Sequence, residues 1–215
     1  MVLSAFFHST ASLFLRAFTW PYILWHILAA LLTLLLVMSG FDWWFFLGTR
    51  APLYHPLTWA AGLGGFFVPV LMPLLMLVYG KVQRSPTTAK RALILAQAVI
   101  VSWLISSTYK AFTGRVEPEF LTLTSIVDNS RDFNFGFWEY GIFWGWPSSH
   151  TAVACALAAA LFVLYKHSAM TRAAAVFYAL FIASGAAIGF HWFSDVLAGV
   201  IVGTLVGFLA ARQKL

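Results

Sequence analysis

His191 and Asp195 stand four residues apart in Gly189-Phe190-His191-Trp192-Phe193-Ser194-Asp195. On a helix that spacing puts both on one face, so the carboxylate can hold the imidazole. A neutral imidazole can attack phosphorus, and water can then hydrolyse the phosphohistidine formed. Asp195 would fix the tautomer and stabilise the imidazolium. An isolated histidine here is more often an interfacial residue bonded to a headgroup or to backbone; the carboxylate at i+4 shifts the balance toward chemistry. A second histidine, His150, lies in Trp146-Pro147-Ser148-Ser149-His150-Thr151 at the start of an apolar run. Ser148 or Ser149 is a candidate N-cap, and free N–H groups at a helix start cradle phosphate. A protonated His150 could donate to a leaving lipid oxygen; as part of a plain cap it would do no chemistry. Lys110 and Arg115 lie in Lys110-Ala111-Phe112-Thr113-Gly114-Arg115. They offer a point charge and a bidentate fork for phosphate, unless both only snorkel to headgroups. Ionisable groups near membrane depth are costly enough to point to function. Together these residues suggest phosphoryl chemistry at a membrane surface.

The elements that must position them are membrane helices. The chain has 215 residues, 61% of them hydrophobic and 9% charged, with mean hydropathy +0.85. A soluble domain carries about 25% charged residues, so the composition indicates an integral membrane protein, read as a single membrane domain over 1–215. The net charge of +6 does not suggest nucleic acid, because the basic residues cluster in short loops between apolar runs. The lone Cys155 excludes an intrachain disulfide. Ten tryptophans and seven tyrosines fit interfacial aromatic belts. Residues 1–19 lack the basic start of a signal peptide. The stretch Leu3–Phe18 reads as an interfacial helix lying on the membrane, with a disordered terminus as the alternative.

A span needs roughly 20 apolar residues. Candidate spans are 21–40, 60–80, 92–110, 149–166, 171–190 and 194–211, which predicts an all-α, six-transmembrane-helix bundle. The loop 80–91 holds Lys81, Arg84, Lys90 and Arg91, the loop 166–172 holds Lys166 and Arg172, and the tail holds Arg212 and Lys214. The positive-inside rule makes that side, and both termini, cytoplasmic. The other side receives the 41–59 connection, the 111–148 loop and the His191 corner. Lys110, His150 and His191 then converge on one membrane face. The 111–148 segment is too long for a passive connector, and its run Phe133–Trp138 could lie in the interface beside a lipid opening. Gly62-Leu63-Gly64-Gly65 and the Gly199/Gly203/Gly207 ladder read as helix-packing faces.

Lys110…Gly114-Arg115…Pro118, then Pro147-Ser148-Ser149-His150, then Ser184…His191-x-x-x-Asp195 resembles the type 2 phosphatidic acid phosphatase family over about residues 60–211. The resemblance implies a six-helix core and metal-independent processing of lipid phosphates or diphosphates. It implies His191 as nucleophile, Asp195 as its partner and His150 as general acid. Lys110, Ser148 and the backbone at Ser149 would bind phosphate. The chain departs from the family pattern at three positions. Glu117 precedes Pro118 where the family has an arginine, Gly185 follows Ser184 where it has another, and Ser149 replaces a glycine.

Phosphoryl transfer depends largely on positioning and charge, and each lost charge-assisted bond costs roughly 1.5–3 kcal/mol. Three routes stay open. Arg115 or Arg131 takes over the clamp, the headgroup carries a cation or hydroxyls that pair with Glu117, or the chain binds lipid phosphate without turning it over. The leading expectation is a lipid phosphatase acting on a lipid phosphomonoester or diphosphate through a phosphohistidine. It would work without metal or other cofactor, at the outer face of a plasma (inner) membrane. A phosphotransferase or headgroup transferase using the same histidine is the near alternative. A non-catalytic lipid-phosphate binder or transport component is the distant one. The expected partners are the lipid substrate and the surrounding lipids.

Overall fold

The computed structural model describes residues 2–119 and 127–213. Lys214, counted above among the tail cations, lies outside them. Polar caps decide where the helices begin. Ser85 opens α5 (Pro86–Thr113) by accepting from Thr88 N, and Pro86 occupies the first turn, where its missing N–H does no harm. Ser148 does the same for α6 (Ser149–Leu164) through Thr151 N. Ser168 does so for α7 (Ala169–Ile188) through Thr171 N. Gly114 closes α5 in the left-handed region at φ 46°. The remaining helices are α1 (Val2–Ala17), α2 (Ile23–Met38), α3 (Phe41–Thr49), α4 (His55–Val82) and α8 (Phe193–Ala211).

The six apolar runs appear as six membrane elements. Four helical segments, Pro52–Val82, Pro86–Thr113, Ala169–Ile188 and Phe193–Ala211, are each long and apolar enough to cross a membrane. A fifth element is α2 with α3, bent by 73° at the Ser39-Gly40 break. The sixth, α6, has only 16 residues. It lies at the centre, packed by α4, α5, α7 and α8, with every residue from Thr151 to Leu161 buried. A helix surrounded by protein need not match the hydrocarbon thickness, so its shortness is tolerated. The protein is therefore a multi-pass, all-helical membrane protein. The 41–59 stretch, expected as a connection, is not all loop. The structure makes Phe41–Thr49 a helix, nine residues long and too short to register as a span.

The N-terminal helix α1 packs against α5 and α8, with Leu13 and Ala17 fully buried. Its polar atoms at Phe6, Ser9 and Thr10 meet protein. Gln97 Nε2 donates to Phe6 O and Thr10 Oγ1, each at 3.3 Å, and to Ser9 Oγ. Gln213 Nε2 donates to Ser9 O at 3.2 Å.

The glycine ladder of α8 faces α6. A Cβ on Gly203 would lie 2.1 Å from Ala152 O, and one on Gly207 would lie 2.3 Å from Ala156 O. This close approach sets the site, because it delivers the start of α8 to the start of α6: Ser148 N donates to Asp195 O at 3.0 Å. Gly203→Ala is expected to force the two backbones apart and to destabilise by about 1–3 kcal/mol, the usual range for overpacking. Thermal unfolding in detergent checks this against Gly48→Ala, where the added methyl meets nothing within 4 Å and no loss is expected.

Candidate functional site

His191 lies in the corner between α7 and α8, one residue before the N-cap Trp192. It is therefore not on the helix that carries Asp195, as i and i+4 spacing had suggested. The corner still brings the pair together. His191 is 4% exposed and Asp195 fully buried, and His191 N donates to Ala186 O at 3.0 Å. Imidazole Nδ1 stands 3.7 Å from Asp195 Oδ2 and closer, at 3.2 Å, to Glu117 Oε1. It is aligned for a hydrogen bond with neither. Catalytic hydrogen bonds often tighten only when substrate binds. Two carboxylates thus address one ring nitrogen, and Glu117 is the nearer.

Asp195 is itself held from behind. Arg115 is fully buried, and its Nη1 donates to Asp195 Oδ1 and, at 2.7 Å, to Ser194 Oγ. Its Nη2 donates to Asp42 Oδ2 and Ser130 O, both at 2.7 Å. The rings of Phe133 and Trp192 flank the guanidinium. Asp42 also accepts from Ser194 N at 2.9 Å and from Ser194 Oγ at 2.5 Å. Arg115, expected as a phosphate fork, has both terminal amino groups engaged inside the protein. It forms the centre of a buried Asp42–Arg115–Asp195 chain joining α3, the 111–148 loop and α8.

Lys110, in the last turn of α5, is fully buried. Its Nζ donates to Phe143 O at 3.0 Å and Gly145 O at 2.9 Å, which leaves one of its three N–H groups. Glu117 Oε1 accepts from Gly145 N at 3.0 Å, so the Gly145 peptide links the lysine to the acid. Trp146 Nε1 donates to Thr33 Oγ1 at 2.8 Å, fixing the chain just before α6. Ser148 caps α6, and Ser149 Oγ shares a hydrogen bond with Ser106 Oγ at 3.0 Å. The N–H groups of Ser149 and His150, in the first turn, are not used by the helix itself. His150 stacks against Phe190, with ring centres 6.2 Å apart.

Ser149 and His150 also head a groove of about 390 Å³ between α4 and α5. Its walls are apolar and include Phe66, Pro69, Val70, Val99, Ile100 and Trp103. The structure thus gathers Lys110, Ser148, Ser149, His150, His191 and Asp195 at one end of the bundle. Arg115 lies behind them.

Two residues that matter here were missed or misread in the sequence. Asp42 is the only acid in an aromatic run, and a charge in such a run was itself the available signal. Glu117 was read as a replacement for a family arginine and as a partner for the headgroup, yet it sits on the histidine. Gly185 is explained by packing. A Cβ there would lie 2.2 Å from Ala61 Cβ and 3.0 Å from Leu57 O, so α4 fills the space a larger side chain would need.

The profile of the PAP2 superfamily matches residues 91–215. The chain belongs to the PAP2 superfamily. No curated protein and no solved structure matches it. The matched stretch begins inside α5 and includes Lys110, the Ser148–His150 turn and the His191–Asp195 corner. As a PAP2 superfamily member the protein has a phosphatase- or phosphotransferase-type function directed at lipid phosphate. Asp42 and the α4 wall of the groove come from outside the matched residues.

Proposed function

We propose that this PAP2 superfamily protein transfers the phosphoryl group of a membrane lipid to His191 and from there to water or an acceptor hydroxyl, without metal. The observation that carries the reading is the corner geometry. Nδ1 of His191 is turned to two carboxylates, which leaves Nε2 as the nitrogen for phosphorus. In the first step an Nε2–P bond forms and the P–O bond to the lipid breaks. His150 supplies the proton to the leaving oxygen. Lys110 and the N–H groups of Ser149 and His150 hold the phosphoryl oxygens. Asp195, braced by Arg115, stabilises the imidazolium. In the second step water or an acceptor hydroxyl attacks phosphorus, and His191 is released. The apolar groove would take the lipid tail. By loop charge, both termini are cytoplasmic and the site faces outward.

The test is lipid-alcohol and phosphate release by purified protein in mixed micelles containing EDTA. A panel of lipid monophosphates, diphosphates and phosphodiesters would be used, with and without acceptor alcohols. Release that depends on His191 and ignores EDTA supports the reading. A modified acceptor in place of free phosphate identifies a transferase. Tight lipid binding with no release from any lipid would sink it.

The groove makes its own prediction. Ile100→Trp places a large ring in the tail path and is expected to raise KM for a long-chain lipid by about tenfold, within the range for pocket-size changes. A short-chain, water-soluble analogue should keep its KM. Equal effects on both would show that the groove does not hold the tail.

A further inference from the structure

The charges gathered at the His191 corner do not suit a doubly charged phosphate. Three carboxylates, Asp42, Glu117 and Asp195, face two cations, Lys110 and Arg115. Arg115 lies between Asp42 and Asp195, so its charge is spent inside the protein. Lys110 gives two of its N–H groups to carbonyls and is tied through the Gly145 peptide to Glu117. These five groups carry one net negative charge, and the proton that His150 must hold as general acid brings the cluster no higher than neutral before any substrate enters. Among the described residues, no other Lys or Arg forms an ion pair with these carboxylates. Arg131 is exposed, with its Nη2 3.9 Å from where a Cβ on Gly40 would be. At Gly185 the approach of Ala61 and Leu57 leaves no room for a long basic side chain.

We propose that Glu117 determines the substrate class: held 3.2 Å from His191 Nδ1, it positions the nucleophile and disfavours dianionic phosphomonoesters, so that the lipid turned over is a singly charged phosphodiester. This rests on the reading of His191 as nucleophile. A carboxylate across the imidazole repels a dianion more than a monoanion, and in a largely buried site that difference is weakly screened. The chemistry balances. His191 Nε2 bonds to phosphorus, and the P–O bond to the diacylglycerol oxygen breaks. That oxygen takes a proton from His150. The headgroup phosphate stays on His191 until an acceptor hydroxyl or water attacks phosphorus and gives its proton back to His150. The product is a transferred or freed headgroup phosphate together with diacylglycerol.

The experiment measures the first-turnover burst of diacylglycerol, which needs no acceptor. Dioleoyl phosphatidic acid is compared with dioleoyl phosphatidylethanolamine and phosphatidylglycerol in the same micelles. It is run at about pH 8, where a phosphomonoester is close to doubly charged. The expected result is a burst rate from at least one diester about tenfold or more above that from the monoester. In Glu117→Gln that ratio should fall by about tenfold, whereas Glu117→Asp, which keeps the charge, should retain most of it. Because the ratio compares substrates on one protein, a general loss of folding or positioning cancels. A faster monoester burst in the unaltered protein, or an unchanged ratio in Glu117→Gln, overturns the proposal. His191-dependent turnover of the monoester alone would leave the proposed function standing and remove only this inference. If no lipid gives a burst that His191→Ala abolishes, both fall.

Discussion

His191→Ala is expected to lose lipid turnover by at least about 10⁴-fold, on the scale seen when a nucleophile that works as a unit with its partners is removed. The loss should hold for every leaving group, because the covalent intermediate forms on His191 itself. His150→Ala should behave differently. If His150 protonates the departing oxygen, its removal costs about 10²–10⁴-fold on a lipid ester. An ester whose leaving group is a weakly basic phenol needs no such proton, and on it His150→Ala should recover most of the rate. His191→Ala should recover none. The crossed comparison matters because both histidines sit at the same end of the bundle and either substitution could merely disturb it. Disturbance would reduce both substrates alike. Recovery of His191→Ala on the activated ester would remove the histidine mechanism. Failure of His150→Ala to recover would leave His150 as a phosphate-binding residue.

The parts legible in the sequence are those set by local chemistry. Apolar runs of span length became helices, and Ser148, a candidate cap, became the N-cap of α6. The glycine ladder of α8 became a packing face. The order Lys110, Ser148–His150, His191–Asp195 placed the site at one end once the helices alternate in direction. What could not be read depends on partners distant in sequence. Asp42 and Arg115 are 73 residues apart, and nothing local in either marks the other. Arg115 has the side chain of a phosphate ligand and the surroundings of a core residue. Only the fold shows that Asp42 reaches it from a helix of nine residues, too short for any span-length window. Glu117 was visible as a departure from the family pattern. Its place against Nδ1 depends on how the loop returns past Gly145, which no periodicity encodes.

Removing Arg115 should be the most damaging structural change in the chain. Arg115→Ala would strip the cation from between Asp42 and Asp195, both fully buried. It would also empty the space between Phe133 and Trp192. Breaking a buried ion pair by deleting one partner costs about 3–5 kcal/mol, because the remaining charge has no counter-ion. Here two carboxylates are stranded, so the loss is expected at or above the upper end, read as a fall in the unfolding midpoint in detergent. Asp42→Asn makes a finer test. It keeps the shape and Arg115 keeps Asp195, so the unfolding midpoint should drop much less. Asp42 nevertheless fixes where the guanidinium sits, through Ser194 as well as directly. A guanidinium released on that side is drawn fully toward Asp195, whose Oδ2 then turns away from His191. The expected signature is a lower kcat with KM little changed, since stabilisation of the imidazolium is needed only in the transition state. Combining the two substitutions separates the roles. If the variants act through the same charge chain, Asp42→Asn should restore part of the stability lost in Arg115→Ala by removing one of the stranded charges. Purely additive losses would mean that Arg115 stabilises the fold through its packing against Phe133 and Trp192 and that the ion pairs contribute little.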